Sequence, residues 1–125
     1  MERVQGIGGI FFKAKDPKAL ARWYGEHLGI PVEDWGGASF VWSKQDAPDT
    51  ASTVWSPFKA DTTYFAPSEA SFMVNFRVRD LDAMLAQVAA AGAKVFDERV
   101  SSEFGKFGWF LDPEGNKVEL WEPAS

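Results

Sequence analysis

Two stretches of this chain carry the same pattern, one after the other. With Asp16 set against Asp80, an offset of 64 residues (80 − 16), Ile10 meets Val74, Phe12 meets Phe76 and Ala14 meets Val78. Gly29 and Gly92 keep an offset of 63 (92 − 29), and so do Val32 and Val95. The repeated unit is a strand, a cap, a helix and a following strand. An internal repeat constrains the fold more than any single residue does, because a unit this small cannot bury its apolar face alone and must pack against its copy.

Local signals fill in the order. Gly6 to Lys15 is apolar and β-prone, a strand. Asp16-Pro17 opens a helix, Asp as an acceptor for free N–H groups and Pro as the first helical residue. Leu20, Trp23, Tyr24, His27 and Leu28 recur at helical spacing up to Gly29, and Pro31 prevents continuation. Val32 to Trp35 and Ala38 to Ser43 flank Gly36-Gly37, which predicts a hairpin. A polar stretch, Lys44 to Ser52, precedes a strand near Thr53 to Phe58, and Lys59 to Ala70 is a linker in which Tyr64 and Phe65 need something to pack on. The second copy runs from a strand at Ser71 to Arg79 through a helix opened by Asp80 and ended near Gly92. A strand at Ala93 to Asp97 follows, and then Phe107 to Leu111 and Asn116 to Trp121 around the turn Asp112-Pro113-Glu114-Gly115. The 125 residues make one domain, with module one at about 5–58, a linker at about 59–70 and module two at about 71–122.

Strand alternation assigns the faces. Ile10, Phe12 and Ala14 belong under the first helix; Val74, Phe76 and Val78 belong under the second. The opposite face carries Gly9, Phe11 and Lys13 in one copy and Met73, Asn75 and Arg77 in the other. The second set is too polar for a plain core, so a concave, partly wet cavity is expected there.

Composition removes several function classes. A net charge of −5 with scattered Lys and Arg offers no basic face for nucleic acid. Without cysteine there are no disulfides, no thiolate chemistry and no Cys-based metal site. No stretch approaches the roughly 20 apolar residues of a membrane span, and no signal-peptide pattern opens the chain, so a cytoplasmic setting is expected. A phosphate-binding glycine loop is absent, and a Ser-His-Asp triad would rest on His27, the single histidine, at a helix end. Aromatics reach 15%, with 11 Phe and 6 Trp, more than a core of this size absorbs easily.

The segments GGIFFKAKDPKALARWYGEHLGI, FMVNFRVRDLDAMLAQVAAAGAKV and WFLDPEGNKVELWEP resemble the vicinal oxygen chelate superfamily of glyoxalases, bleomycin-resistance proteins and extradiol dioxygenases. The last is the most specific, through Asp112-Pro113, Gly115-Asn116 and Glu119-Leu120. The resemblance implies an α+β fold of two βαβββ modules forming curved mixed sheets around a cavity. It also implies metal ligands on the first strand of each module and on the last strand. Carried over, these fall at Gly9, which has no side chain, at Met73, a soft thioether, and at Glu119. One carboxylate of about three required ligands does not hold a catalytic metal. A metal-free protein is therefore expected, with a divalent metal as the family's alternative.

The candidate site residues are Phe11, Trp42, Trp55, Asn75, Arg77, Trp109, Glu119 and Trp121, an aromatic lining with a few polar groups, as small-molecule cavities have. Glu119 is also the candidate catalytic base, and Arg77 either binds a ligand anion or neutralises Glu119. The function expected is small-molecule binding. The alternative is a lyase, isomerase or dioxygenase of the family's type that uses Glu119 as base or metal ligand. The resemblance implies a homodimer.

Overall fold

The computed structural model describes residues 1–42 and 51–124. Its elements are β1 (Val4–Ala14), α1 (Pro17–Leu28), β2 (Ala38–Val41), β3 (Ser52–Lys59), β4 (Phe72–Val78), α2 (Leu81–Ala90), β5 (Lys94–Val95), β6 (Val100–Ser102), β7 (Gly105–Leu111) and β8 (Lys117–Pro123). The order is strand, helix and strands in each half of an α+β fold, with two strands after α1 and four after α2 where three were expected after each. The strands form one curved, open, mixed sheet of eight, in the order β2-β3-β1-β4-β8-β7-β5, with β6 beside β7.

The caps repeat with the sequence. Asp16 accepts from Ala19 N at 3.1 Å and Asp80 from Ala83 N at 3.0 Å. Each bond satisfies a donor that the first helical turn leaves free. Glu122, near the end of β8, adds a second acceptor at the start of α2, taking the Leu81 N–H at 2.8 Å. Gly29 closes α1 at φ 72°, a left-handed conformation that costs glycine nothing. Gly92, just beyond α2, sits at φ 97°.

The two units meet where β1 pairs antiparallel with β4, through Gly6↔Arg77, Gly9↔Asn75 and Phe11↔Met73. Irregularities between Val4 and Gly6 and between Ile7 and Gly9 interrupt that ladder. Within the units the first strand pairs in parallel, β1 with β3 and β4 with β8, and antiparallel pairs complete the sheet. One core lies between α2 and the sheet, from Val78, Leu81, Met84, Leu85, Val118 and Leu120. Under α1 the filling is aromatic: Tyr24 meets Trp55, and Trp55 meets Phe12. The alternation argument therefore holds for both helix-facing sets.

Three local expectations differ. Val32 to Trp35 is not a strand; Glu33 N bonds Gly37 O and Gly36 N bonds Glu33 O, so the paired glycines end a compact turn. The antiparallel partner of β2 is β3. The expected strand at Ala93 to Asp97 shrinks to Lys94–Val95, and β6, with all three residues exposed, had no apolar pattern to announce it. Ser43 and residues 44–50 of the polar stretch lie outside the described residues. No described helix is long and apolar enough to cross a membrane.

Asp16→Ala and Asp80→Ala should each lower the unfolding free energy by about 1 kcal/mol. Because the caps serve different helices and share no partner, the double variant should lose the sum, measured by urea unfolding at neutral pH.

Candidate functional site

Two rows of side chains cross the concave face of the sheet, and register builds both. In the first, Trp109 on β7 pairs with Glu119 on β8, Glu119 with Asn75 on β4, and Asn75 with Gly9 on β1. In the second, two residues along, Phe107 pairs with Trp121, Trp121 with Arg77, and Arg77 with Gly6.

Glu119 is the centre of the first row and is 2% exposed. Asn75 Nδ2 donates to its Oε1 at 2.6 Å, and Trp109 Nε1 donates to its Oε2 at 2.9 Å. The third donor is the Tyr64 hydroxyl, which reaches Oε2 from the segment between β3 and β4. Behind Tyr64, the fully buried Phe65 closes a cluster with Met73 and Trp109, against which Phe11, Phe58, Phe96 and Phe107 pack. The linker aromatics thus fill the inside of the curved sheet.

Burial drives the Glu119 carboxyl above the ordinary carboxylate range, against the hydrogen bonds from Tyr64, Asn75 and Trp109, which favour the charged form. Burial, and next to it the Glu119 charge, push the Tyr64 phenol upward, so Tyr64 stays a donor. Lys117 supplies the nearest cation on the same strand. Its ammonium lies over the rings of Tyr64, Phe96 and Trp109 at 5.5, 5.5 and 5.7 Å and donates to Tyr64 O at 2.8 Å. Burial lowers its pKa, while Glu98 and Glu119 oppose that.

A cleft of about 640 Å³ opens beside this cluster, lined by Thr63, Tyr64, Ala66, Glu98, Val100, Phe107, Trp109 and Lys117. Tyr64 and Trp109 form its inner wall and stand between it and Glu119. A larger open groove of about 1300 Å³ runs along the start of α1. Its rim mixes exposed Lys15, Lys18 and Arg22 with exposed Glu33, Asp34 and Asp61, and no buried polar group faces it, so we place the candidate site at the smaller cleft.

The structure gathers Asn75, Trp109 and Glu119 in one hydrogen-bonded group, with Phe11 packed behind it and Trp121 in the adjoining row. Trp55 lies elsewhere: it pairs with Ile10 and so faces α1, against Phe12 and Tyr24. The expected ion pair between Arg77 and Glu119 does not form among the described residues. Register sets Asn75 beside Glu119 and Arg77 beside Trp121, and Arg77 Nε donates to Gln5 Oε1 at 3.0 Å with its guanidinium over the rings of Trp42 and Trp121. Two site residues escaped the sequence argument. Tyr64 left a signal only as an aromatic pair in a linker, and Lys117, a lysine on a strand that alternation alone does not single out, left none. His27 is exposed in the last turn of α1 beside Trp23.

The donor set does not fit the metal that the fold family implies. Gly9 offers no ligand atom, and Met73 is fully buried among aromatic rings. Both oxygens of Glu119 already accept hydrogen bonds from neutral side chains. Among the described residues no group of three or more His, Cys, Asp or Glu comes together.

Tyr64→Phe should cost about 1–3 kcal/mol, because it removes a donor from a buried carboxylate. The pH dependence has a definite sign. A carboxyl whose folded pKa is raised stabilises the fold most below its unfolded pKa, and that contribution is lost as pH rises through the folded value. Urea midpoints of the native protein should therefore carry a falling component above the ordinary Glu range that is absent from Glu119→Gln.

Residues 9–121 match the family of glyoxalase-like domains. A comparison with curated proteins finds no match. Among solved structures, a variant of the Streptomyces coelicolor methylmalonyl-CoA epimerase in complex with 2-nitronate-propionyl-CoA superposes with a TM-score of 0.71 at 17% identity, over 98% of this chain and 100% of that one. The Mycobacterium tuberculosis methylmalonyl-CoA epimerase gives 0.62 at 19% identity, over 98% and 90%. A glyoxalase/bleomycin resistance protein/dioxygenase superfamily member from Vibrio splendidus gives 0.58 at 14%, over 98% and 99%. At such identities the likeness is one of fold. The chain belongs to the glyoxalase-like family.

Proposed function

We propose that this protein binds a small, partly aromatic organic molecule in the cleft beside Tyr64, Phe107, Trp109 and Lys117, and that it does so without a metal. The observation that carries this reading is how Glu119 is used. Its oxygens are committed to Tyr64, Asn75 and Trp109, and two of those donors screen it from the cleft. What the cleft presents to a visitor is three aromatic side chains, the Lys117 ammonium and the Glu98 carboxylate, the usual makings of a binding site for a planar molecule with a polar edge. Homodimerisation, which this reading retains, would seat a second copy on the outer edge strand β2, where Phe40 and Val41 are exposed.

A second reading rests on one specific observation, the upward push that burial gives the Glu119 carboxyl. A raised carboxyl suits an acid–base catalyst of the lyase or isomerase kind. For that, Tyr64 would have to leave the carboxylate. Assay with methylmalonyl-CoA, the substrate named for the epimerases of like fold, separates the two; binding alone predicts no epimerisation.

Titration of intrinsic tryptophan fluorescence with naphthol, indole and benzyl alcohol should show saturable binding, weakened at least about tenfold by Phe107→Ala in a protein that still unfolds cooperatively, since a buried aromatic contact is worth ~1.4 kcal/mol or more. Nickel, zinc, cobalt and manganese should each leave the unfolding temperature unchanged, because only a ligand that binds the native state raises it. One tightly held metal per chain, lost on Glu119→Ala, would overturn the metal-free part.

A further inference from the structure

Where the two rows of the concave face meet on β4 lie two buried polar atoms that find no hydrogen-bond partner among the described residues: Asn75 Oδ1 in the first row and Arg77 Nη1 in the second. One is an acceptor without a donor, the other a donor without an acceptor. They belong to residues two apart on β4, so they share a face, within about 7 Å of strand. The orientation of the Asn75 amide is fixed by its neighbour. Its Nδ2 donates to Glu119 Oε1, and turning the amide over would set Oδ1 against a carboxylate oxygen. The guanidinium of Arg77 is held just as firmly. Its Nε is tied to Gln5, and its plane lies over Trp42 at 5.7 Å and Trp121 at 5.9 Å. Among the described residues no carboxylate reaches it; the ion pairs are Arg79 with Glu2 and Lys106 with Glu122.

The opposite strand is bare here. A Cβ on Gly6 would meet the Trp42 ring at 2.5 Å, and one on Gly8 would strike Asn75 Oδ1 and Trp121. Those two positions leave the room in which Trp42, Trp121 and Asn75 sit. The roof is Trp42, 41% exposed, whose indole is tied down from Nε1 to Thr53 Oγ1 at 2.7 Å and whose backbone N–H donates to Ala51 O at 2.9 Å. Phe107, a wall of the cleft, stacks on Trp121 at 6.4 Å and 9°. The cleft and the unsatisfied pair therefore lie along one stack of planar groups.

We infer that Asn75 and Arg77, roofed by Trp42, form a polar subsite for an aromatic hydroxycarboxylate. The carboxylate accepts from Arg77 Nη1, the hydroxyl donates to Asn75 Oδ1, and the ring packs against the indoles that flank the guanidinium. A buried donor and a buried acceptor without partners are the usual mark of a missing ligand or water. An arginine is matched to a carboxylate by its fixed fork and permanent charge. The subsite names the ligand class for the concave face and so rests on the reading of that face as a small-molecule site.

Calorimetry with three probes tests it: mandelate, phenylacetate and benzyl alcohol. They share a ring and differ in the carboxylate and the hydroxyl. In the native protein mandelate should bind tightest, phenylacetate less well, and benzyl alcohol at least about tenfold more weakly than mandelate, as a charge-assisted bond requires. Within Arg77→Met, both acids should bind no better than benzyl alcohol, so that the acid-to-alcohol ratio of the native protein is lost. Arg77→Lys should recover only part. The ordering in native protein needs no variant, so a misfolded Arg77→Met leaves the test intact. Equal affinities for mandelate and benzyl alcohol overturn the subsite while leaving the cleft standing. So does a crystal structure, grown with saturating mandelate, in which one water joins Arg77 Nη1 to Asn75 Oδ1. If none of the three probes binds and naphthol and indole also fail, the cleft and the subsite fall together.

Discussion

A carboxylate taken out of water is disfavoured by several kcal/mol unless its oxygens are given donors, and this requirement organises the inside of the sheet. Glu119 reaches that state through donors from three separate parts of the chain: Trp109 from the strand on one side, Asn75 from the strand on the other, and Tyr64 from the connection between the units. None is charged. The connecting segment is thereby fastened to the second unit by a polar contact, while the β1–β4 ladder joins the two units, and the aromatic cluster around Phe65 shields the polar contact from water.

The rest of the concave face follows from a shift of two residues. One step along the strands the row is polar and sealed; at the next it is a stack of Phe107, Trp121, Arg77 and Trp42. A cation between indoles is well placed electrostatically, since the ring faces are negative. It also keeps Arg77 extended towards β1 and β2, away from Glu119. The two charges thus share a face without pairing.

What the sequence could and could not reveal divides along physical lines. Caps, helices and faces depend on residues near one another in the chain, so Asp16, Asp80, the Ile10/Phe12/Ala14 set and its counterpart were legible. Pairing register is not local. Alternation placed Arg77 and Glu119 on one face but could not say that the parallel β4–β8 ladder would set Asn75, not Arg77, beside the carboxylate. The same ignorance sent Trp55 to the wrong side, since its neighbour Ile10 was known only after β1 and β3 were paired. Gly36-Gly37 looked like a hairpin tip because paired glycines permit several turns, and the choice among them was made by β3, which took β2 as its partner. Tyr64 lies 55 residues from Glu119 in a segment with no period, so no pattern could join them.

The placement of Tyr64 on the connecting segment bears on how the chain assembles. A donor from between the units can reach Glu119 only after β4 and β8 have paired and the segment has folded back across them. The second half therefore lacks its full interior chemistry without the connecting segment, and Phe11 and Phe58 of the first half, packed on the Phe65 cluster, draw that half into the same cooperative transition. The contacts that close it span long separations in sequence, which carries a loop-closure cost and slows the search for the native state. The duplicated pattern allows each half to begin alone; the phenol of Tyr64 makes completion a joint event.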